Sequence, residues 1–136
     1  MADMLPLPPF QLHQPTTVEA ATRLLADKQG ARLISGGTDL LPSMKGGLFS
    51  PPHLVSTRRI DGFSDIHVLD NGLSIGAGAT LREVAAHPRI LGDYPALVAA
   101  ARTVATPTVQ AMATLGGNLL LDTRCLWYNQ SSFWRG

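Results

Sequence analysis

Apolar positions in the first third of the chain recur at helical spacing and then give way to short runs bounded by turn residues. Val18, Ala21, Leu24 and Leu25 fall on one face of a predicted helix. Thr16 with Glu19 three residues later is the pattern of a capping box, and Gly30 offers a C-terminal cap. Ahead of the helix, a Pro-rich stretch over residues 1–15 is extended, with Phe10 to His13 as a short edge strand. Behind it, Ala31 to Ile34 is the next strand, so a parallel α/β unit is predicted. Asp39 to Met44 forms a helical turn. Lys45-Gly46-Gly47 and Ser50-Pro51-Pro52 break the chain, and His53 to Ser56 is a further strand. Ile60-Asp61-Gly62 ends this part in a turn.

From there the pattern changes. Ile66 to Leu69 and Leu73 to Gly76 flank Asp70-Asn71-Gly72, and Asn-Gly between two apolar runs is a strong hairpin signal. Thr80-Leu81-Arg82-Glu83 is a second capping box that opens a short helix to about Ala86. Pro88 starts the next turn, and Tyr94-Pro95 begins a longer helix with Leu97, Val98, Ala101 and Val104 inward. Thr106-Pro107-Thr108 ends it, and Val109 to Ala113 leads onward. Both tryptophans, Trp127 and Trp134, lie in the final segment, where no turn or charged tail closes the pattern. It reads as a chain cut in mid-structure, and its apolar residues are expected to pack against further protein.

Composition narrows the classes. Of 136 residues, 45% are hydrophobic and only 15% charged, so much of the surface is expected to meet a cofactor or partner. The net charge is +1 and no basic stripe with interleaved aromatics occurs, which argues against nucleic acid. The start has neither a signal-peptide pattern nor a membrane span. The single cysteine, Cys125, excludes an internal disulfide, and a cytoplasmic protein is expected. His13, His53, His67 and His87 show no ligand spacing.

The candidate chemistry lies in two glycine pairs. Leu33-Ile34-Ser35-Gly36-Gly37-Thr38-Asp39-Leu40 carries an apolar strand into adjacent glycines. Thr114-Leu115-Gly116-Gly117-Asn118 repeats the device. Adjacent glycines let successive N–H groups converge on one point, a natural seat for a phosphate. Either pair alone is equally well a tight turn or a sheet-corner bulge; two together point to a shared diphosphate.

These loops resemble the two flavin-diphosphate loops of the FAD-binding medium subunits of molybdenum hydroxylases, the xanthine dehydrogenase family. The ending Leu121-Asp122-Thr123-Arg124-Cys125-Leu126-Trp127-Tyr128-Asn129-Gln130-Ser131 resembles the β subunits of 4-hydroxybenzoyl-CoA reductases. The resemblance implies an α+β, two-lobed FAD-binding domain of the PCMH type. A small parallel βαβ lobe would occupy residues 1–60, and an incomplete, mostly antiparallel lobe 61–136. It implies FAD extended between the lobes. Electrons would pass between an external donor and a [2Fe–2S] small subunit that serves a molybdenum-cofactor large subunit. An alternative is a nucleotide-binding or assembly module without redox activity.

For the site, the resemblance implies that Leu33, Ile34, Ser35, Gly36, Gly37, Thr38, Asp39 and Leu40 hold the diphosphate. The N–H groups of Gly36 to Asp39 face it, and the Asp39 side chain turns away to cap the following turn. Thr114, Leu115, Gly116, Gly117 and Asn118 would meet the diphosphate and ribityl region from the other side. Gly37 and Gly117 alike are expected to need positive φ. Val104 would line the flavin, or is plain helix core. Asp122 accepts from a ribose hydroxyl or pairs with Arg124. Cys125 is a buried thiol, a nucleophile without a visible activator, or the first of four ligands to a [4Fe–4S] cluster that needs three more cysteines in a longer chain. No residue is expected to act as acid or base.

Overall fold

The computed structural model describes residues 6–122. The first unit is built around β3 (His53–Ser56), which pairs in parallel with β1 (Gln11–His13) on one side and β2 (Arg32–Ile34) on the other. Leu54 and Val55 are fully buried, as a central strand requires, since both of its faces are covered. Helix α1 (Val18–Asp27) lays Ala21, Leu24 and Leu25 against Val55 and Ile60. Val18, expected on the same face, is half exposed.

The helix starts one residue later than its capping pattern suggested. Thr17 is the N-cap, its hydroxyl accepting from Ala20 N at 3.1 Å, and the Thr16 carbonyl instead accepts from Asp61 N at 3.0 Å. Gly30 is not the C-cap either: Lys28 closes the helix, and Gly30 takes φ +74° in the turn that follows. Helix α2 (Leu40–Lys45) buries Ser43 and Met44.

The second unit opens with the hairpin of β4 (Ile66–Leu69) and β5 (Gly72–Ile75). Its turn is Asp70-Asn71, one residue before the predicted Asn-Gly, and neither residue has positive φ, so the turn is not the primed type that Asn-Gly favours. Among the described residues five short helices follow: α3 (Leu81–Ala86), α4 (Pro88–Asp93), α5 (Pro95–Thr103), α6 (Pro107–Gln110) and α7 (Leu115–Leu119). The capping box at Thr80 is complete: its hydroxyl accepts from Glu83 N at 3.2 Å, and Glu83 Oε2 accepts from Thr80 N at 2.8 Å. Ala79, Leu81, Val84, Ile90, Val98 and Ala101 form the core here. Although strand pairing in this unit is antiparallel, helices supply most of its described structure.

The two units meet closely. Phe63 packs on the α1–β3 core while its carbonyl accepts from Gly78 N of the second unit at 2.8 Å. Gly36 lies so near the Met112 backbone that a Cβ placed on it would stand 1.8 Å from the Met112 oxygen. Arg58 also donates to Met112 Sδ at 3.3 Å. These contacts leave a cleft of about 530 Å³ with residues of both units on its walls.

Candidate functional site

Strand β2 runs out at Ile34, whose carbonyl accepts from Thr57 N at 3.0 Å. The chain then has no further pairing partner and turns over Ser35, Gly36 and Gly37 into α2. Gly37 takes φ +71°, and a Cβ there would also sit 3.0 Å from Leu41 Cδ1. The left-handed backbone is what calls for glycine, and the flexible Leu41 side chain would need to give only slightly. Among the described residues, the backbone N–H groups of Gly36, Gly37 and Thr38 meet no acceptor. All three residues line the cleft. Adjacent donors left unpaired at a cavity wall form an anion seat.

Asp39 is the N-cap residue of α2 with helical backbone angles, and its side chain makes no cap hydrogen bond, contrary to the capping role expected of it. Its carbonyl does the anchoring, accepting from Ser43 Oγ at 2.6 Å and from Ser43 N at 3.1 Å.

The second glycine pair is not a loop. Thr114 caps α7, its hydroxyl accepting from Gly117 N at 3.2 Å. Leu115 N donates to Ala79 O and Gly116 N to Ala77 O, both at 2.8 Å. These amides are thus spent inside the fold. Gly117 has no positive φ, so the conformational requirement expected of it is absent. Gly116 has a different reason to be glycine: a Cβ would meet Ala77 Cβ at 2.8 Å.

The cleft gathers almost every expected residue. Leu33, Ile34, Ser35, Asp39 and Leu40 join the first loop on one wall. Thr114, Gly116, Gly117, Asn118, Val104 and Asp122 stand on the wall from the second unit. Leu115 is the exception: it packs on the second core instead. Val104 satisfies both of its readings, lining the cleft while packing on that core. Cys125 and Arg124 lie outside the described residues, so the pairing of Asp122 with Arg124 does too.

Other contributors carried no motif. Ala105, next to Val104, holds φ 48°, a left-handed conformation that costs a non-glycine residue about 1 kcal/mol. Gln110 secures this turn by donating from Nε2 to both Arg102 O and Val104 O at 2.9 Å. Leu120 and Leu121 also line the cleft, although Leu120 is 84% exposed. Thr57 is 7% exposed, lines the cleft, and its buried hydroxyl has no partner among the described residues. Such an orphan costs about 1–3 kcal/mol unless something supplies a partner. An anionic dinucleotide suits the donor-rich first loop and this hydroxyl. Among the described residues no group of three or more metal-ligating side chains occurs, and no helix is long and apolar enough to cross a membrane.

A two-walled cleft with unpaired backbone donors at a glycine loop on the parallel lobe has the form of a dinucleotide-binding domain. The profile described as "FAD binding domain in molybdopterin dehydrogenase" matches residues 8–126, and the chain belongs to that family, with FAD as its cofactor. It is 40% identical over 100 residues to the FAD-binding subunit of an Escherichia coli aldehyde oxidoreductase, covering 73% of this chain and 31% of that protein. It is 33% identical over 117 residues to the carbon monoxide dehydrogenase medium chain of Hydrogenophaga pseudoflava, covering 85% of this chain and 40% of that one. A solved carbon monoxide dehydrogenase from that organism superimposes with a TM-score of 0.81 at 32% identity, over 84% of this chain and 40% of its counterpart. Quinoline 2-oxidoreductase from Pseudomonas putida 86 gives 0.80 at 32% identity, with the same coverage. The chain thus spans well under half the length of these relatives.

Proposed function

We propose that this chain is the FAD-binding part of an electron-transfer subunit in a cytoplasmic molybdenum hydroxylase-type complex. The observation that carries the reading is the set of unpaired N–H groups at Gly36, Gly37 and Thr38, all residues that line the cleft; on this reading the two lobes beside it divide near residue 60. When bound, FAD would supply the redox chemistry, passing electrons between an external donor and a [2Fe–2S] small subunit that serves a molybdenum-cofactor large subunit. This chain's residues bind and orient. The first loop holds the diphosphate by charge-assisted hydrogen bonds, each worth about 1.5–3 kcal/mol. Thr57 offers a further hydroxyl, and Val104 presents an apolar surface on the opposite wall. No side chain need move a proton, since the protein's work at such a cofactor is placement and tuning.

The finer reading is a reductase of the 4-hydroxybenzoyl-CoA type, supported by the stretch Leu121 to Ser131. The test is the purified full-length complex. Flavin content and donor-driven reduction are measured for wild type and Gly37→Val, followed by turnover with 4-hydroxybenzoyl-CoA, carbon monoxide, xanthine and nicotinate. Loss of flavin in the variant, with molybdenum and iron retained, supports the electron-transfer role. Retained flavin overturns the site. Turnover of another substrate but not the acyl-CoA overturns the finer reading alone.

A further inference from the structure

At the start of β2, the Arg32 guanidinium lies over the Phe49 ring, 4.0 Å from its centroid. Both side chains line the cleft, yet neither belongs to a glycine loop. Arg32 is exposed and makes no ion pair among the described residues. Among the described residues the other charged groups on the cleft walls are Asp39 and Asp122, so Arg32 is the cation there.

Its place along the strand matters. β2 runs from Arg32 toward Gly36, and Gly36 touches Met112 of the second unit. The strand ends at Ile34 and the chain then bends, so at roughly 3.3 Å per residue Arg32 stands no more than about 13 Å back from that contact, on the first-unit side of the glycine loop. Val104 and Asp122 belong to the opposite side. A dinucleotide whose diphosphate sits at Gly36–Thr38 therefore places one half toward Arg32 and Phe49 and the other toward the second wall.

We infer that Arg32, braced on Phe49, receives the adenosine half and is what makes this cleft prefer FAD to FMN. A guanidinium is planar and stacks on aromatic faces, so one face can rest on Phe49 while the group offers a flat, charged surface to a purine. The cation–π contact also limits the side chain's freedom before the ligand arrives, which lowers the entropy lost on binding.

This inference rests on the proposed cofactor site, and the test separates the two. The apo form of the full-length subunit is titrated with FAD and with FMN, following flavin fluorescence. Variants are Arg32→Ala, Arg32→Lys and Phe49→Ala, each with its unfolding midpoint recorded. Arg32→Ala should weaken FAD about tenfold and leave FMN within about twofold, which is the loss of one stacked cationic contact. Arg32→Lys keeps charge but not the plane and should recover only part of the loss. Phe49→Ala should weaken FAD by about threefold. Unchanged FAD affinity in Arg32→Ala overturns the inference, as does an equal loss for FMN, which contains no adenosine. Wild-type protein that binds neither flavin overturns the cofactor reading, and the inference with it.

Discussion

In the first glycine loop the N–H groups of Gly36, Gly37 and Thr38 meet no acceptor among the described residues, whereas at the second glycine pair Leu115, Gly116 and Gly117 all donate inside the chain. The same dipeptide thus stands on both walls of one cleft with different physical tasks. Gly37 is glycine because its backbone is left-handed; Gly116 is glycine because Ala77 leaves no room for a side chain. The first pair leaves its donors unpaired among the described residues. The second pair brings a helix turn close enough to shape the opposite wall, where the Thr114 hydroxyl accepts from Gly117 N and Asn118 Nδ2 donates to Thr114 O within the chain. Glycine content alone therefore does not mark a phosphate seat; the fate of the amides does.

The largest expected effect comes from Gly36→Ala. A methyl group 1.8 Å from the Met112 oxygen forces the two units apart. It should cost about 3 kcal/mol in urea unfolding and remove FAD binding. Unaltered stability would mean that the close contact between the units does not exist in solution.

Gly37→Val comes next. Its φ of +71° is hostile to a β-branched residue, and its neighbour Leu41 is already close. We expect about 2 kcal/mol of destabilisation and a loss of FAD affinity of thirtyfold or so. If Gly117→Val weakens FAD equally, the contrast between the two pairs fails.

Thr57→Val sharpens the comparison through a difference in sign. Removing an orphan hydroxyl should leave the apo protein as stable or up to about 1 kcal/mol more stable, while FAD binding falls about threefold to tenfold. A drop in apo stability would show that the hydroxyl already has a partner within the fold.

The smallest effect is expected from Gly117→Ala. The position is in the first turn of α7 with ordinary φ, and the added Cβ would lie 3.0 Å from Thr114 Oγ1. The helix-forming gain of alanine, about 1 kcal/mol, offsets that crowding, so FAD affinity should stay within about twofold. A tenfold loss by titration would mean the second pair binds phosphate as the first does.

Much of this was legible in the linear pattern, because the signals were local. The Thr80–Glu83 box, the prolines that open α4 and α5, and the strand before Gly36 each depend on residues a few positions apart. Local signals also erred by single residues where a distant group intervened: Thr16 gave its carbonyl to Asp61, and Thr17 took over the cap. Both glycine pairs could be found from sequence, and so could the family they suggest. Which pair keeps its amides unpaired could not, because Ala77 and Ala79 lie more than thirty residues before Gly116 in the chain. Arg32, Phe49, Thr57 and Gln110 were equally silent, since a lone arginine or threonine acquires a role only when another strand or loop is brought beside it. Sequence by itself determined most of the elements and the left-handed requirement at Gly37, through spacing and backbone freedom. Tertiary structure alone decided which donors remain for a ligand, because pairing across the fold is what consumes them.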